Sequence, residues 1–314
     1  MTEMYTTADA PGMGVVNVAS VRQLSPFRYP GGKTWLVPRI RQWLGALSER
    51  PNEFIEPFAG GGIVGLTVAF EQLARTVTMV ELDEQVGAVW QTILGEDNEW
   101  LANRVASFDL TLESVKAELA GPPKNLKEKA FQTLLKNRVY HGGILAAGSG
   151  LLKYGENGKG IRSRWYPNTL KKRILGIASI RDRIRFIKGD GLQVIRQNAH
   201  RRDGVFFIDP PYTASEKKAG TRLYTHSQLD HEELFRITAG LVGDFLMTYD
   251  NDEKVLQLAH RHGFDTQTVS MMNTHHAEMT ELLMGRDLEW ARRGESGNVP
   301  VLSGPHQLPL ALSM

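Results

Sequence analysis

Five short apolar runs, at residues 54–58, 76–80, 185–188, 205–208 and 245–248, are each cut off by glycine, proline or an acid within a few residues and are separated by stretches of helical spacing. Runs of that length are strands, and strands that alternate with amphipathic helices pack as a largely parallel sheet covered on both faces. The predicted fold is therefore α/β, a doubly wound mixed sheet. Two later runs, 266–271 and 279–284, are expected to pair antiparallel at one sheet edge. The sheet domain is expected from residues 25–99 and 185–290, with 1–24 as an N-terminal arm and 291–314 as a tail. Residues 100–184 read as a mostly helical insertion: helical spacing runs up to Gly121-Pro122-Pro123, resumes over 125–138, and gives way to Gly142-Gly143 and the glycines at 148 and 150.

Charge matters here through its distribution. Lys and Arg total 37 against 35 acids in 314 residues, a net +2. Within 151–188, however, eleven basic residues, including Lys153, Lys159, Arg162, Arg164, Lys171 and Lys172, face only Glu156 and Asp182. A near-neutral total conceals a basic insertion, the electrostatic footprint of a polyanion partner or else an ordinary solvated face. The absence of cysteine rules out disulfides, thiolate catalysis and Cys-ligated zinc. No apolar run approaches the ~18 residues of a membrane span, so a soluble cytoplasmic protein without membrane partners is expected. His275-His276 with Glu278 reads as a solvated turn, because paired ligands normally need a third; no metal is expected.

Glu56-Pro57-Phe58-Ala59-Gly60-Gly61-Gly62 lies between an apolar run and a helix-like stretch. A glycine turn in that position lets backbone approach a ligand closely, and the helix N-terminus beyond it favours electron-rich groups; the same turn also occurs with no ligand at all. About 20 residues on, the next run ends in Val80-Glu81-Leu82-Asp83. Glu81 is placed to accept bonds from ribose hydroxyls, and Asp83 to cap the following helix. Asp190, at the end of the third run, is either an acceptor for an adenine amino group or part of a Gly-Asp-Gly surface turn. Asp209-Pro210-Pro211-Tyr212 follows the run Val205-Phe206-Phe207-Ile208, and two prolines at a strand end fix the chain and delete two amide donors. Packing alone does not call for such a loop.

Taken in order, these motifs resemble those of the Dam-like, alpha-class DNA adenine-N6 methyltransferases. Phe27-Arg28-Tyr29-Pro30-Gly31-Gly32-Lys33 is similar to their N-terminal cofactor motif, residues 56–62 to their glycine-rich motif, and residues 209–212 to their Asp-Pro-Pro-Tyr motif. Asn137-Arg138 before Gly142-Gly143, then Trp165, Asn168 and Arg173-Ile174, resemble the region before their third strand, so the similarity spans most of 25–285. Glu81 stands where many members carry aspartate, and the glycine- and lysine-rich stretch after residue 150 does not align with the family.

The resemblance implies S-adenosylmethionine as cofactor, bound by Tyr29, Gly31, Gly32, Lys33, Glu56, Pro57, Phe58, Gly60, Gly62, Glu81, Asp190 and Asp209, with Lys33 and Phe58 at its methionine end. For Phe58, simple core packing stays open. It implies catalysis by Asp209, Pro210, Pro211 and Tyr212: the Asp209 carboxylate and the Pro210 carbonyl accept the adenine N6 bonds, and Tyr212 stacks on a base flipped out of double-stranded DNA. Arg138, Lys153, Lys159, Arg162, Arg164, Lys171 and Lys172 would meet phosphates, making residues 100–184 the target-recognition region. A cognate restriction endonuclease is an allowed partner. Three readings stay open beside this one: methylation of cytosine N4, methylation of RNA or a protein glutamine, and a non-catalytic DNA-binding subunit, against which the intact tetrapeptide speaks.

Overall fold

The computed structural model describes residues 21–28, 32–145, 149–155, 158–211, 229–272 and 278–293. Its centre is one seven-stranded sheet. The strands are β1 (Glu53–Glu56), β2 (Thr76–Glu81), β3 (Ile184–Lys188), β4 (Gly204–Ile208), β5 (Phe245–Asp250), β6 (Asp265–Met272) and β7 (Glu278–Gly285), arranged β3-β2-β1-β4-β5-β7-β6. The first five run parallel, and Phe54 of β1 sits between Val77 of β2 and Val205 of β4. The two last strands pair antiparallel, with β7 between β5 and the edge strand β6, as the sequence predicts. All of β4 is buried, which is why it carries an unbroken apolar run rather than an alternating one. β1 ends at Glu56, two residues before its apolar run does, because Pro57 has no amide to give the ladder.

Strand order reverses between β1 and β4, and the crevice beyond the carboxyl ends of the strands at such a switch is where open α/β sheets bind ligands. Helices α1 (Val37–Ala46), α2 (Ile63–Glu71), α3 (Glu84–Leu94), α4 (Asn98–Ser107), α5 (Leu112–Leu119), α6 (Leu126–Val139) and α7 (Pro167–Ala178) share one face; their apolar side chains form a continuous core with Phe54, Val77, Met79 and Phe207. The other face carries α8 (Gly191–Asn198), α9 (His231–Ala239) and α10 (Glu253–Arg261) over Ile55, Phe206, Ile208 and Met247. A short α11 (Glu289–Arg293) follows β7.

Local chemistry sets the helix ends. Asp83 accepts from the amides of Gln85 and Val86 at the start of α3, as its position predicts. Thr111 and Ser114 form a reciprocal capping box on α5, Pro122-Pro123 separate α5 from α6, and Asn125 caps α6 by accepting from Glu128. Helices α4, α6 and α7 pack on α3, α4 packs also on α6 and α7, and α5 packs on α6. Phe108 meets Phe131 and Trp165 edge-on, and the Arg104 guanidinium lies over Phe108 and Phe131. Among the described residues no helix is long and apolar enough to cross a membrane.

Candidate active site at the sheet switch point

Successive residues of a strand point to opposite faces. Phe54, Phe207, Leu246 and Leu283 belong to the core on the α1 side, so the residues two further along, or two before on the antiparallel strand, share that face. Those residues are Glu56, Asp209, Thr248 and Glu281, gathered at the carboxyl edge of β1, β4 and β5 and the start of β7. Lys33 enters over the same face from the turn that precedes α1. Its Nζ lies 3.0 Å from Asp209 Oδ1 and 3.5 Å from Glu281 Oε1, and the Thr248 hydroxyl donates to Asp209 Oδ1 at 2.8 Å. Lys33, Glu56 and Glu281 are buried, whereas the Asp209 side chain is 21% exposed. The tetrapeptide carboxylate is thus the member of the cluster that solvent, or a substrate, can reach.

Such a cluster is electrostatically tense. Desolvation pushes Glu281 up to about 7, with Lys33 pulling it down and Asp209 and Asp250 pushing it up. Burial also raises Glu56 well above the ordinary carboxylate range, opposed by the bond its Oε2 accepts from the Gly65 amide. The Tyr249 phenol is raised by burial and by Asp209. Glu56, expected as a cofactor contact, lies sealed beneath the first turn of α2. The carboxylate ties α2 to β1 and is almost wholly shielded from solvent.

On the neighbouring side the glycine turn behaves as its composition predicts. Gly60 and Gly62 have φ of 47° and 63°, and a Cβ on Gly62 would come within 2.4 Å of Met79 Cε and 2.8 Å of the Trp90 ring. The turn is braced from three directions: Ser25 Oγ donates to Gly61 O, Trp90 Nε1 donates to Gly60 O, and the Ala59 amide donates to Val80 O. Glu81 Oε2 accepts from Gly60 N at 2.9 Å and Oε1 from Asp83 N at 2.8 Å, which aims the carboxylate along the turn. Burial raises it to about 7.

Asp190 caps α8 by accepting from the Leu192 amide, and its side chain is otherwise exposed. Gly191 is pressed so closely against the glycine turn that a Cβ there would lie 2.3 Å from Pro57 O and 2.9 Å from Phe58 Cε1. Phe58 therefore joins the core on the α8 side, beside Asp190, while Lys33 lies on the opposite face with Asp209. This separates the two residues expected together at the methionine end. Pro210 is buried and Pro211 half-buried beside Asp209, and Gly32 is exposed. Tyr29, Gly31 and Tyr212, and the His275-His276 pair, lie outside the described residues.

Arg138 is the clearest correction. Expected on a DNA-facing surface, it is buried, and its Nη2 donates to Pro26 O at 2.5 Å. Desolvation, with Arg173 and Arg28 nearby, lowers it to about 9. Arg173 donates to Ser25 O, and Asn137 accepts from Arg28 N and donates to the carbonyls of Arg28 and Gly143. Three side chains of α6 and α7 thus hold the backbone of residues 25–28, which leads into the N-terminal motif. The remaining basic residues stay nearer the surface: Lys153, Lys159 and Lys172 are exposed, Lys171 is bonded to Asn103, Arg162 donates to Leu110 O, and Arg164 is half-buried.

Glu281 and Thr248 escaped the sequence reading. The signal for Glu281 was a lone acid inside the apolar run 279–284; that for Thr248 was a polar residue ending the run 245–248.

Residues 29–117 match the family described as D12 class N6 adenine-specific DNA methyltransferases. The match bears out the resemblance over the N-terminal and glycine-rich motifs and supports a methyltransferase reading; residues 209–212 lie outside it. No curated protein matches the chain. Among solved structures, a candidate RNA methyltransferase of Pyrococcus horikoshii is similar at 10% identity and a TM-score of 0.37, covering 85% of this chain and 92% of that one. A methyltransferase from Geobacter sulfurreducens is similar at 14% identity and a TM-score of 0.36, covering 82% and 80%. Likenesses of that degree say nothing of the substrate.

Proposed function

We propose that this methyltransferase moves the methyl group of S-adenosylmethionine to the N6 amino group of adenine in duplex DNA. The observation that carries the reading is the reachable Asp209 carboxylate, held by Lys33 and Thr248 at the strand switch, next to a two-proline loop and across from a braced glycine turn. The donor set suits the cofactor. Glu81 offers acceptors for ribose hydroxyls, the exposed Asp190 carboxylate offers one for the adenine amino group, and Gly60 and Gly62 let a ligand approach the backbone. When bound, the cofactor supplies an electrophilic methyl on a sulfonium.

The chain's own task is to make N6 nucleophilic. Its lone pair is conjugated with the purine ring, and two N–H bonds, to Asp209 and to the Pro210 carbonyl, favour the pyramidal nitrogen whose lone pair points away from the ring. Both acceptors are fixed in advance by the ion pair, the Thr248 bond and the prolines, so little reorganisation is needed as charge develops. The base must leave the duplex, at a cost of a few kcal/mol, and phosphate contacts of the 153–172 region help to offset it. DNA from a methylation-free host expressing the protein would carry N6-methyladenine at a defined sequence; methyl marks confined to cytosine or RNA would refute the reading.

Two further outcomes are expected. Glu81→Ala should weaken cofactor binding by about 1–3 kcal/mol, since ribose donors lose their acceptor. Because Glu81 titrates near 7 and its ionised form is the better acceptor, affinity should fall as pH drops through that range. Calorimetry should find Glu81→Gln flat across the same range; a variant that keeps the parent's dependence would move the role elsewhere. For DNA, Lys153→Ala and Lys172→Ala should each reduce the salt slope of binding by about one unit. Arg138→Ala should leave the slope alone and weaken cofactor binding instead, because it releases residues 25–28.

A further inference from the structure

Methylation of an amino group leaves a proton to be disposed of, and the acceptors around N6 are not equivalent sinks. Asp209, which touches the amino group in the proposed reaction, is already bonded to Lys33 and Thr248 through one oxygen. Lys33 in turn reaches Glu281, a buried acid from an antiparallel strand that the reaction as described does not use. A chain of contacts, Asp209 to Lys33 to Glu281, thus runs from the substrate edge of the site into the protein. Burying an acid costs several kcal/mol unless it is paired, and a paired lysine with a second carboxylate is more than holding Asp209 requires.

The geometry points to Glu281 as the group that takes up, by way of Lys33, the proton released when the amino nitrogen is methylated. The inference rests on the proposed amino-methyl transfer. The steps balance. The nitrogen–methyl bond forms as the sulfonium–methyl bond breaks, and the nitrogen then passes one proton to the Asp209 carboxylate. Lys33 gives one of its protons to Glu281 Oε1 and receives that of Asp209. The net change is a neutral methylated amine, an ionised Asp209, an unchanged Lys33 ammonium and a protonated Glu281. Among the described residues the charged groups facing Glu281 include Lys33 from the turn before α1, Asp209 after β4 and Asp250 at the end of β5; its register partner on β6 is the apolar Val269. A carboxylate poised near 7 can accept a proton there and return it to solvent between turnovers.

Glu281 is a positioning and proton-holding residue rather than one that touches substrate, so the test must separate those roles. Glu281→Gln keeps a partner for Lys33 and loses the proton site. It should lower the single-turnover rate about 10²-fold, leave the cofactor dissociation constant unchanged, and flatten the parent's rise in rate as pH crosses about 7. Glu281→Asp should restore part of the rate and the pH dependence, and it carries the test alone if Glu281→Gln does not fold. Parental rates with a parental pH profile in Glu281→Gln would overturn the relay. So would equal losses of rate and cofactor affinity, which would make Glu281 a mere anchor for Lys33. A parent protein inert toward adenine would sink the proposed function itself, whereas an active parent with an indifferent Glu281→Gln variant would sink only the relay.

Discussion

Asp209→Ala should cut the single-turnover rate of methyl transfer by on the order of 10²–10³, the usual loss when one well-placed transition-state contact is removed. Cofactor affinity should change far less. The reason lies in how the residue is held: without Asp209, Lys33 keeps Glu281 as its partner, and the glycine turn with Glu81 stands on separate supports. Asp209→Asn is the sharper variant, since it keeps an acceptor oxygen for Thr248 while losing the charge that strengthens as N6 becomes pyramidal. Single-turnover kinetics read beside equilibrium binding of cofactor separates the two effects. Equal losses in rate and in cofactor binding would mean that Asp209 shapes the pocket and does not act on the amino group.

Lys33→Ala should be the most destabilising single change in the site. It removes the cation that faces both Asp209 and Glu281, and stripping one partner from a buried pair typically costs about 3–5 kcal/mol. For a domain of this size that is a fall in Tm on the order of 10 °C. The loss should depend on pH in a definite direction. Glu281 is raised in the folded state, so its contribution to stability is present below the ordinary 4.5 and is lost as pH rises through about 7. Taking away Lys33, which pulls that value down, enlarges the penalty where the carboxylate must stay ionised. The deficit of Lys33→Ala relative to the parent should therefore be largest near pH 8 and narrow toward pH 5. Melting curves at the two ends of that range with equal deficits would show that Lys33 acts mainly by packing its stem.

What the sequence made legible was whatever its neighbours along the chain dictate. Strand runs, the Asp83 cap, the positive φ of the glycine turn and the antiparallel final pair all follow from local composition and spacing. The site's partnerships do not. Glu281 reaches Lys33 only because β7 inserts beside β5 in the register that sets it opposite Asp250, and no local signal encodes that register. Arg138 was misread for the same reason: it precedes a basic stretch, but its position in α6 turns it inward onto Pro26. Lys171 shows a milder version, its charge tied to Asn103 across α4 and α7. Lys33 and Phe58, grouped by motif, take different faces of the sheet, and motif alone does not encode which face a side chain takes.

The most direct test of the central claim is to give the purified protein isotopically labelled S-adenosylmethionine together with duplex DNA and RNA of matching sequence in one reaction, then digest both polymers to nucleosides. The account predicts label in N6-methyl-2′-deoxyadenosine from the DNA, at a rate that Asp209→Ala depresses by about 10² or more. Label found in RNA, in N4-methylcytosine or in the protein, with adenine in DNA unmodified, would contradict it.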